Sequence, residues 1–182
     1  MTKKEFVSLL GEQARADMTK TGILASLTTA QGILESGYGT RELAVNANNI
    51  FGMKAELSGN NWPSDCQTYT KETNEQKPNG EVYTITAAFR KYESMAESIK
   101  DHSDYLARAK KGNDLRYAGL VGERDYKKAI QIVKAGGYAT DNNYVSKICS
   151  IIEKWNLTQY DTQEAGQNMN IKIICTIIIK SP

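Results

Sequence analysis

Ala30-Gln31-Gly32-Ile33-Leu34-Glu35-Ser36-Gly37-Tyr38-Gly39 closes a run in which Ile23, Leu24, Leu27, Ala30, Gln31 and Leu34 recur at three- and four-residue spacing. That period predicts a helix, and its apolar residues spread over more than one face, so the helix is expected to be buried. Ser36-Gly37-Tyr38-Gly39 ends it, Gly37 being suited to the left-handed conformation that closes a helix. Glu35 then sits in the last turn, where the helix dipole disfavours a negative charge and raises a carboxyl pKa. A carboxyl that keeps its proton near neutral pH can protonate a glycosidic oxygen as it leaves. The alternative is a solvated glutamate at a helix end.

Outward from this stretch, Phe6, Leu9, Leu10 and Ala14 predict an amphipathic helix over about 2–17, followed by Gly22 as a break. A short helix is expected from Thr40 to about Asn46, and Asn48-Asn49-Ile50-Phe51-Gly52-Met53-Lys54 reads as a turn into a buried extended stretch. Thr68-Tyr69-Thr70-Lys71 and Glu81-Val82-Tyr83-Thr84-Ile85-Thr86 are β-branched and aromatic, with the turn signal Pro78-Asn79-Gly80 between them, which predicts an antiparallel hairpin. Ser94-Met95-Ala96-Glu97 matches a capping box ahead of a helix carrying Met95, Ile99, His102 and Leu106. Two further helices are expected: one ends at Gly136-Gly137, and the other starts near Asp141 and buries Tyr144, Ile148, Ile152 and Trp155. Helices, then a hairpin, then helices make the fold class α+β with a segregated sheet.

The 182 residues, 40% hydrophobic and 24% charged, with mean hydropathy −0.51, allow one domain with a proper core plus a fragment of a second. No apolar stretch approaches the roughly 18 to 20 residues that span a bilayer. A net charge of +2 gives no bulk argument for nucleic acid. Cys66, Cys149 and Cys175 stand at no metal spacing, and His102 is the only histidine, which argues against a zinc site and a disulfide framework. The sequence has neither a GxSxG nor a GxxxxGK[ST] motif, leaving mostly carboxylate chemistry. Leu9-Leu10 gives way at once to Gly11-Glu12-Gln13, so no secretion signal is read at the N-terminus.

Taken with Asn48-Asn49-Ile50-Phe51-Gly52-Met53-Lys54, Phe89-Arg90-Lys91-Tyr92, Ser98-Ile99-Lys100-Asp101-His102 and Gly136-Gly137-Tyr138-Ala139-Thr140-Asp141, the opening stretch resembles the successive signatures of glycoside hydrolase family 73. These are bacterial and phage N-acetylglucosaminidases that cut peptidoglycan. The similarity runs from about residue 2 to 155 in the family's order. It implies a lysozyme-like α+β fold, with a mostly helical lobe and a small antiparallel β-hairpin lobe flanking a cleft.

The resemblance places Glu35 on the family's general acid. The second acidic residue belongs on the hairpin lobe, where Glu72 is the choice and Glu75 the reserve. Tyr138 matches an aromatic position beside the acid, where its phenol would orient an acetamido group or a water; the alternative is a core tyrosine after a helix cap. Asn49, Phe51 and Gly52 are expected to line the cleft, with an amide for an acetamido group, whereas Asn48 reads as a turn-forming side chain. Trp62 is a candidate for sugar stacking, with a core role as the alternative. His102 reads as a satisfied helix residue rather than a catalyst, and Asp101 either holds its tautomer or is solvated. Phe89, Arg90 and Tyr92 read as packing and an ion pair behind the hairpin.

The implied activity is that of a peptidoglycan hydrolase, an endo-β-N-acetylglucosaminidase cleaving the β-1,4 bond between N-acetylglucosamine and N-acetylmuramic acid, with no metal or organic cofactor. Its partner would be the peptidoglycan glycan strand, with no nucleic acid and no membrane insertion, and a monomer is expected. The rival readings are a lytic transglycosylase or N-acetylmuramidase on the same scaffold, and an inactive wall-binding module. An inverting water attack, a nucleophilic carboxylate and assistance from the substrate's acetamido oxygen all stay open. The expected organisation is a catalytic domain over 1–157, a linker over 158–170 and a tail over 171–182 that starts a truncated SH3-like wall-binding domain. Such an enzyme would reach the wall as a phage lysin through a holin pore or as part of an exported autolysin.

Overall fold

The computed structural model describes residues 1–60, 62, 67–76 and 80–162. Helix α1 (Lys3–Thr21) starts at a reciprocal cap in which Thr2 Oγ1 accepts from the Glu5 N–H and Glu5 Oε2 accepts from the Thr2 N–H at 2.7 Å. It runs four residues past the expected Asp17 end and stops at Gly22 in the left-handed conformation. Helix α2 (Ala25–Ser36) lies at the centre, packed against α1, α5 (Tyr126–Ala135), α6 (Tyr144–Trp155) and the 3-10 turn Leu157–Tyr160. Ile23 and Leu24 precede the helix but are still buried with Leu27, Ala30 and Ile33. Helix α4 (Met95–Arg108) lies across α1 and contributes Ile99, His102 and Leu106 to the core.

Gly32 is where α2 comes closest to its neighbours: a Cβ there would stand 2.8 Å from Leu10 Cδ2 and 3.0 Å from Ile50 Cγ2. A side chain at that position would require the packed Leu10 and Ile50 side chains to shift.

Short α3 (Glu42–Ala47) leads to the sheet, in which β1 (Thr68–Gln76) and β2 (Val82–Arg90) pair antiparallel from Thr68 opposite Arg90 to Gln76 opposite Val82. Both strands are longer than composition predicts. Residues 53–55 add a third edge, with the Arg90 N–H donating to Met53 O and the Ala55 N–H to Ala88 O, both at 2.9 Å. A two-residue pair, β3 (Lys110–Lys111) with β4 (Asp114–Leu115), follows α4. The α+β arrangement of six helices with a segregated antiparallel hairpin therefore stands.

Two expectations need correction. Ser94 Oγ accepts from the Glu97 N–H, but Glu97 Oε2 accepts from the Glu93 N–H at 3.0 Å, so the cap is not reciprocal. Thr158–Thr162, expected to open a linker, instead belong to the packed domain: Leu157 and Tyr160 are buried, and Asp161 Oδ1 accepts from the Ser26 N–H at 2.8 Å, filling the N-terminus of α2. The hairpin tip at 77–79, Cys66, Cys175 and the expected strand in 171–182 lie outside the described residues.

The hairpin's base is held by charge. Arg90 is almost wholly buried; its Nη1 donates to Asp101 Oδ2 at 2.7 Å and to Asn60 Oδ1 at 3.0 Å, and its Nη2 donates to the Leu57 carbonyl. Tyr92 completes the group, its hydroxyl donating to the same Asp101 oxygen at 2.6 Å. This is the ion pair expected behind the hairpin, with Asp101 as its acid. Removing one partner of a buried pair strands the other charge, at a cost of about 3–5 kcal/mol. Asp101→Ala should therefore lower the unfolding free energy by an amount in that range, read from a fall in the denaturant midpoint, whereas an unchanged midpoint would show that the pair does not anchor the hairpin.

Candidate active site

Glu35 occupies the last turn of α2, whose C-cap Gly37 is left-handed at φ 58°. Tyr38 (φ 62°) and Gly39 (φ 75°) continue in the same region. For a tyrosine this backbone is unusual, and its ring is fixed from two sides. The Trp155 Nε1–H donates to Tyr38 Oη at 3.2 Å, and Lys3 Nζ lies 4.8 Å from the ring centre. Gly39 has no such freedom to change, because a Cβ would sit 2.5 Å from the Phe6 ring.

The Glu35 side chain is half-buried, and desolvation raises its pKa above the ordinary 4.5. Arg41 opposes this weakly by its charge, while its Nη1 donates to the Glu35 backbone carbonyl at 2.9 Å. Arg41 thus satisfies a free carbonyl of the helix end.

Two phenols share the electrostatic neighbourhood of this carboxyl. Burial lifts the Tyr138 pKa well above 10, and the Glu35 charge adds to the rise. Tyr144 is likewise raised by burial and by Glu35, and its hydroxyl accepts from Gln31 Nε2 at 2.7 Å. Gln31 precedes Glu35 by one helical turn, so both polar groups leave the same face of α2. Tyr138 follows the α5 cap, where Gly137 is left-handed and the Arg116 Nε–H donates to the Gly136 carbonyl at 2.7 Å. Its hydroxyl stands 3.0 Å from His102 Nε2. His102 is fully buried and stacked on Phe51 at 3.8 Å and 9°. Burial pushes its pKa down to about 3, so it is neutral.

The other expected site residues divide. Glu72 is exposed on β1 opposite Thr86, and Glu75 lies further along the strand opposite Tyr83. Tyr69 and Lys71, on the alternate face from Glu72, turn toward α3: Glu42 accepts from Tyr69 Oη at 2.9 Å and from Lys71 Nζ at 3.0 Å. Gly52 is exposed with open space where a Cβ would stand.

Asn49 departs from its expected role. Its amide is wholly engaged within the fold, donating to Met53 O and Arg90 O at 2.9 and 2.8 Å and accepting from the Met53 N–H. It ties the loop to the hairpin base and offers no free group to a sugar. Phe51 is buried beneath His102 instead of facing the cleft. Trp62 is half-buried against the Arg90 guanidinium, 4.8 Å from its ring centre. Asn48, as expected, is a turn residue, left-handed at φ 50° with its amide donating to Tyr92 O. Asp101 faces Arg90, so it does not set the His102 tautomer. Sequence reasoning missed Gln31 and Tyr144 as neighbours of the acid, although the four-residue spacing of Gln31 and Glu35 carried that signal.

A carboxyl whose pKa is raised by desolvation, at a helix end beside two phenols, is the kind of group a glycoside hydrolase needs to hand a proton to a leaving sugar oxygen. The family model described as mannosyl-glycoprotein endo-beta-N-acetylglucosaminidase matches residues 11–157, and the chain belongs to this glucosaminidase family, glycoside hydrolase family 73. It is similar to the exo-glucosaminidase LytG of Bacillus subtilis, 38% identical over 86% of this chain and 52% of LytG. The peptidoglycan hydrolase FlgJ of Salmonella typhimurium is 32% identical over 83% of this chain and 46% of FlgJ. The chain spans about half or less of the curated relatives it matches. Among solved structures, the catalytic domain of the autolysin Auto from Listeria monocytogenes superposes with TM-score 0.75 at 33% identity, covering 88% of this chain and 89% of that one.

Because the folded pKa of Glu35 is raised, the stability it lends is fullest below its unfolded pKa and falls as pH rises through the folded value. Glu35→Gln should accordingly unfold at a higher temperature than the parent at neutral pH, with the difference vanishing below the ordinary value of 4.5. Turnover of the same variant should drop by about 10²–10⁴-fold. The parent's kcat should fall on the alkaline side as Glu35 ionises. Arg41→Met should move that limb to higher pH, since the Arg41 charge favours ionisation. Retained turnover in Glu35→Gln would overturn the assignment of the acid.

Proposed function

We propose that this chain is an endo-β-N-acetylglucosaminidase that hydrolyses the β-1,4 bond on the reducing side of N-acetylglucosamine in peptidoglycan, acting as a monomer on the cell wall. The observation that carries this reading is the Glu35 carboxyl, desolvated at the C-terminal turn of a buried helix, which shifts it toward the protonated form a general acid needs. Glu35 gives its proton to the oxygen linking N-acetylglucosamine to the departing N-acetylmuramic acid. The carbon–oxygen bond breaks as positive charge develops on the sugar ring, and water completes the substitution at the anomeric carbon.

Glu72 is the carboxylate we assign to that water or to the charged ring. Its exposure on the hairpin leaves it accessible to both. Tyr138, kept as a phenol by burial, would hold the acetamido group or the water beside Glu35. The relatives named for peptidoglycan hydrolysis and autolysis support the substrate class. The name exo-glucosaminidase carried by LytG favours a second reading, cutting from chain ends.

Digestion of purified peptidoglycan, borohydride reduction and mass spectrometry separate these readings. New ends of reduced N-acetylglucosamine on long fragments early in the digest are expected. Early release of short products alone would favour chain-end cutting, and reduced or anhydro N-acetylmuramic acid would replace the glucosaminidase reading by muramidase or transglycosylase chemistry. Glu72→Gln in the same assay should lose less turnover than Glu35→Gln, because water can attack a charged ring without a base but the leaving oxygen cannot depart without its proton.

A further inference from the structure

His102 has no place in the proton transfer described above, yet it is a fully buried imidazole beside Tyr138. One face lies flat on Phe51, Tyr138 meets its edge at 88°, and Nε2 stands 3.0 Å from Tyr138 Oη. Nδ1 has no hydrogen-bond partner among the described residues.

A neutral imidazole carries one N–H, and the bond made by one nitrogen fixes the proton's position. A proton on Nδ1 would leave a buried N–H with nothing to donate to, the rarer and costlier kind of orphan, while the phenol donated to Nε2. A proton on Nε2 leaves only a bare lone pair at Nδ1 and gives Tyr138 Oη a donor. In that arrangement the phenol's own hydrogen is released from His102.

We propose that His102 is a positioning residue whose Nε2–H donates to Tyr138 Oη, so that the phenolic hydrogen of Tyr138 is directed into the cleft at the Glu35 carboxyl or a substrate oxygen. This rests on Tyr138 acting at the active site. The low pKa of His102 agrees with it, since an imidazole that stays neutral keeps its one proton in place over the pH range in which Glu35 titrates. Phe51 does the packing that keeps the ring plane fixed, which explains why that phenylalanine lies beneath the site instead of in it.

The single histidine makes the test direct. In parent protein labelled with ¹⁵N-histidine, long-range proton–nitrogen spectra report one imidazole only. A pyrrole-type Nε2 and an imine-type Nδ1 are expected, unchanged from neutral pH down to about pH 5; the reverse assignment overturns the proposal whatever the activity data show.

Kinetics supply a second arm. His102→Phe keeps the stack on Phe51 and removes the donor, and kcat should fall about tenfold with KM little changed. His102→Gln, whose amide N–H can reach the same oxygen, should recover part of that loss. In a Tyr138→Phe background, His102→Phe should cost nothing further, whereas full additivity would show that His102 does not act through the phenol. Wild-type turnover in Tyr138→Phe alone would remove Tyr138 from the site, a result separable from the tautomer measured by resonance.

Discussion

Keeping a carboxyl protonated in an enzyme that works in water requires taking it out of that water, and this is the constraint on which the structure is built. A surface glutamate ionises at its ordinary pKa and has no proton to give near neutrality. Glu35 is shifted away from this because α2 is packed on by α1, α5, α6 and the 3-10 turn near residue 160. The packing serves ordinary burial of Leu27, Ala30 and Ile33, and it also carries the last turn far enough inside to desolvate the acid. The left-handed run Gly37-Tyr38-Gly39 then turns the chain away immediately. A helix one turn longer would place Glu35 mid-helix, without the adverse dipole at its end.

Arg41 illustrates how closely this is balanced. A guanidinium forked onto the Glu35 carboxylate would stabilise the ionised form and disable the acid. In the structure it donates to the Glu35 backbone carbonyl, so a free end of the helix is satisfied while its charge lowers the carboxyl pKa by less than burial raises it. The phenols of Tyr138 and Tyr144 add polarity without adding charge, because burial keeps both protonated. Around the Glu35 carboxyl the buried neighbours are thus neutral phenols, and the nearby cation is bonded to the backbone.

What the sequence revealed and what it hid follow from the range of the forces involved. α2, its glycine stop and the acid at its end are local facts, written in three- and four-residue spacing and in Gly37. Hairpin length was not local: Asn74, Glu75 and Gln76 have little preference for strand, but they pair opposite Val82, Tyr83 and Thr84, and cross-strand pairing overrides propensity. The turn at Leu157–Tyr160 was hidden for a similar reason. Thr158-Gln159 looks like linker, yet Tyr160 lies against the bare backbone of Gly11, where a Cβ would stand 2.5 Å from its ring. Asn49 was legible as a special residue but not as a loop tie, since its partners Met53 and Arg90 meet only through the third sheet edge. The partner of His102 lies 36 residues away and follows a different helix, so the adjacent Asp101 was the natural but wrong suspect.

The two lobes are tied down by different kinds of contact. On the helical side, α2 is held at both ends by distant parts of the chain, Asp161 at its N-terminus and the Tyr38–Trp155 contact just beyond its C-terminus. An acid must meet its oxygen within hydrogen-bond reach, and misplacement by about 1 Å can cost on the order of a hundredfold in rate. Rigidity is therefore of most use there. On the hairpin side, the buried Arg90–Asp101–Tyr92 group fixes the base, and further along β1 Glu42 accepts from Tyr69 and pairs with Lys71, the partners of that ion pair being 46% and 24% exposed. Surface pairs of that kind contribute about 0–1 kcal/mol and are screened by salt. Glu72, exposed beside that tie on β1, is the carboxylate proposed for positioning a water, a role with looser geometric demands than the proton donation proposed for Glu35.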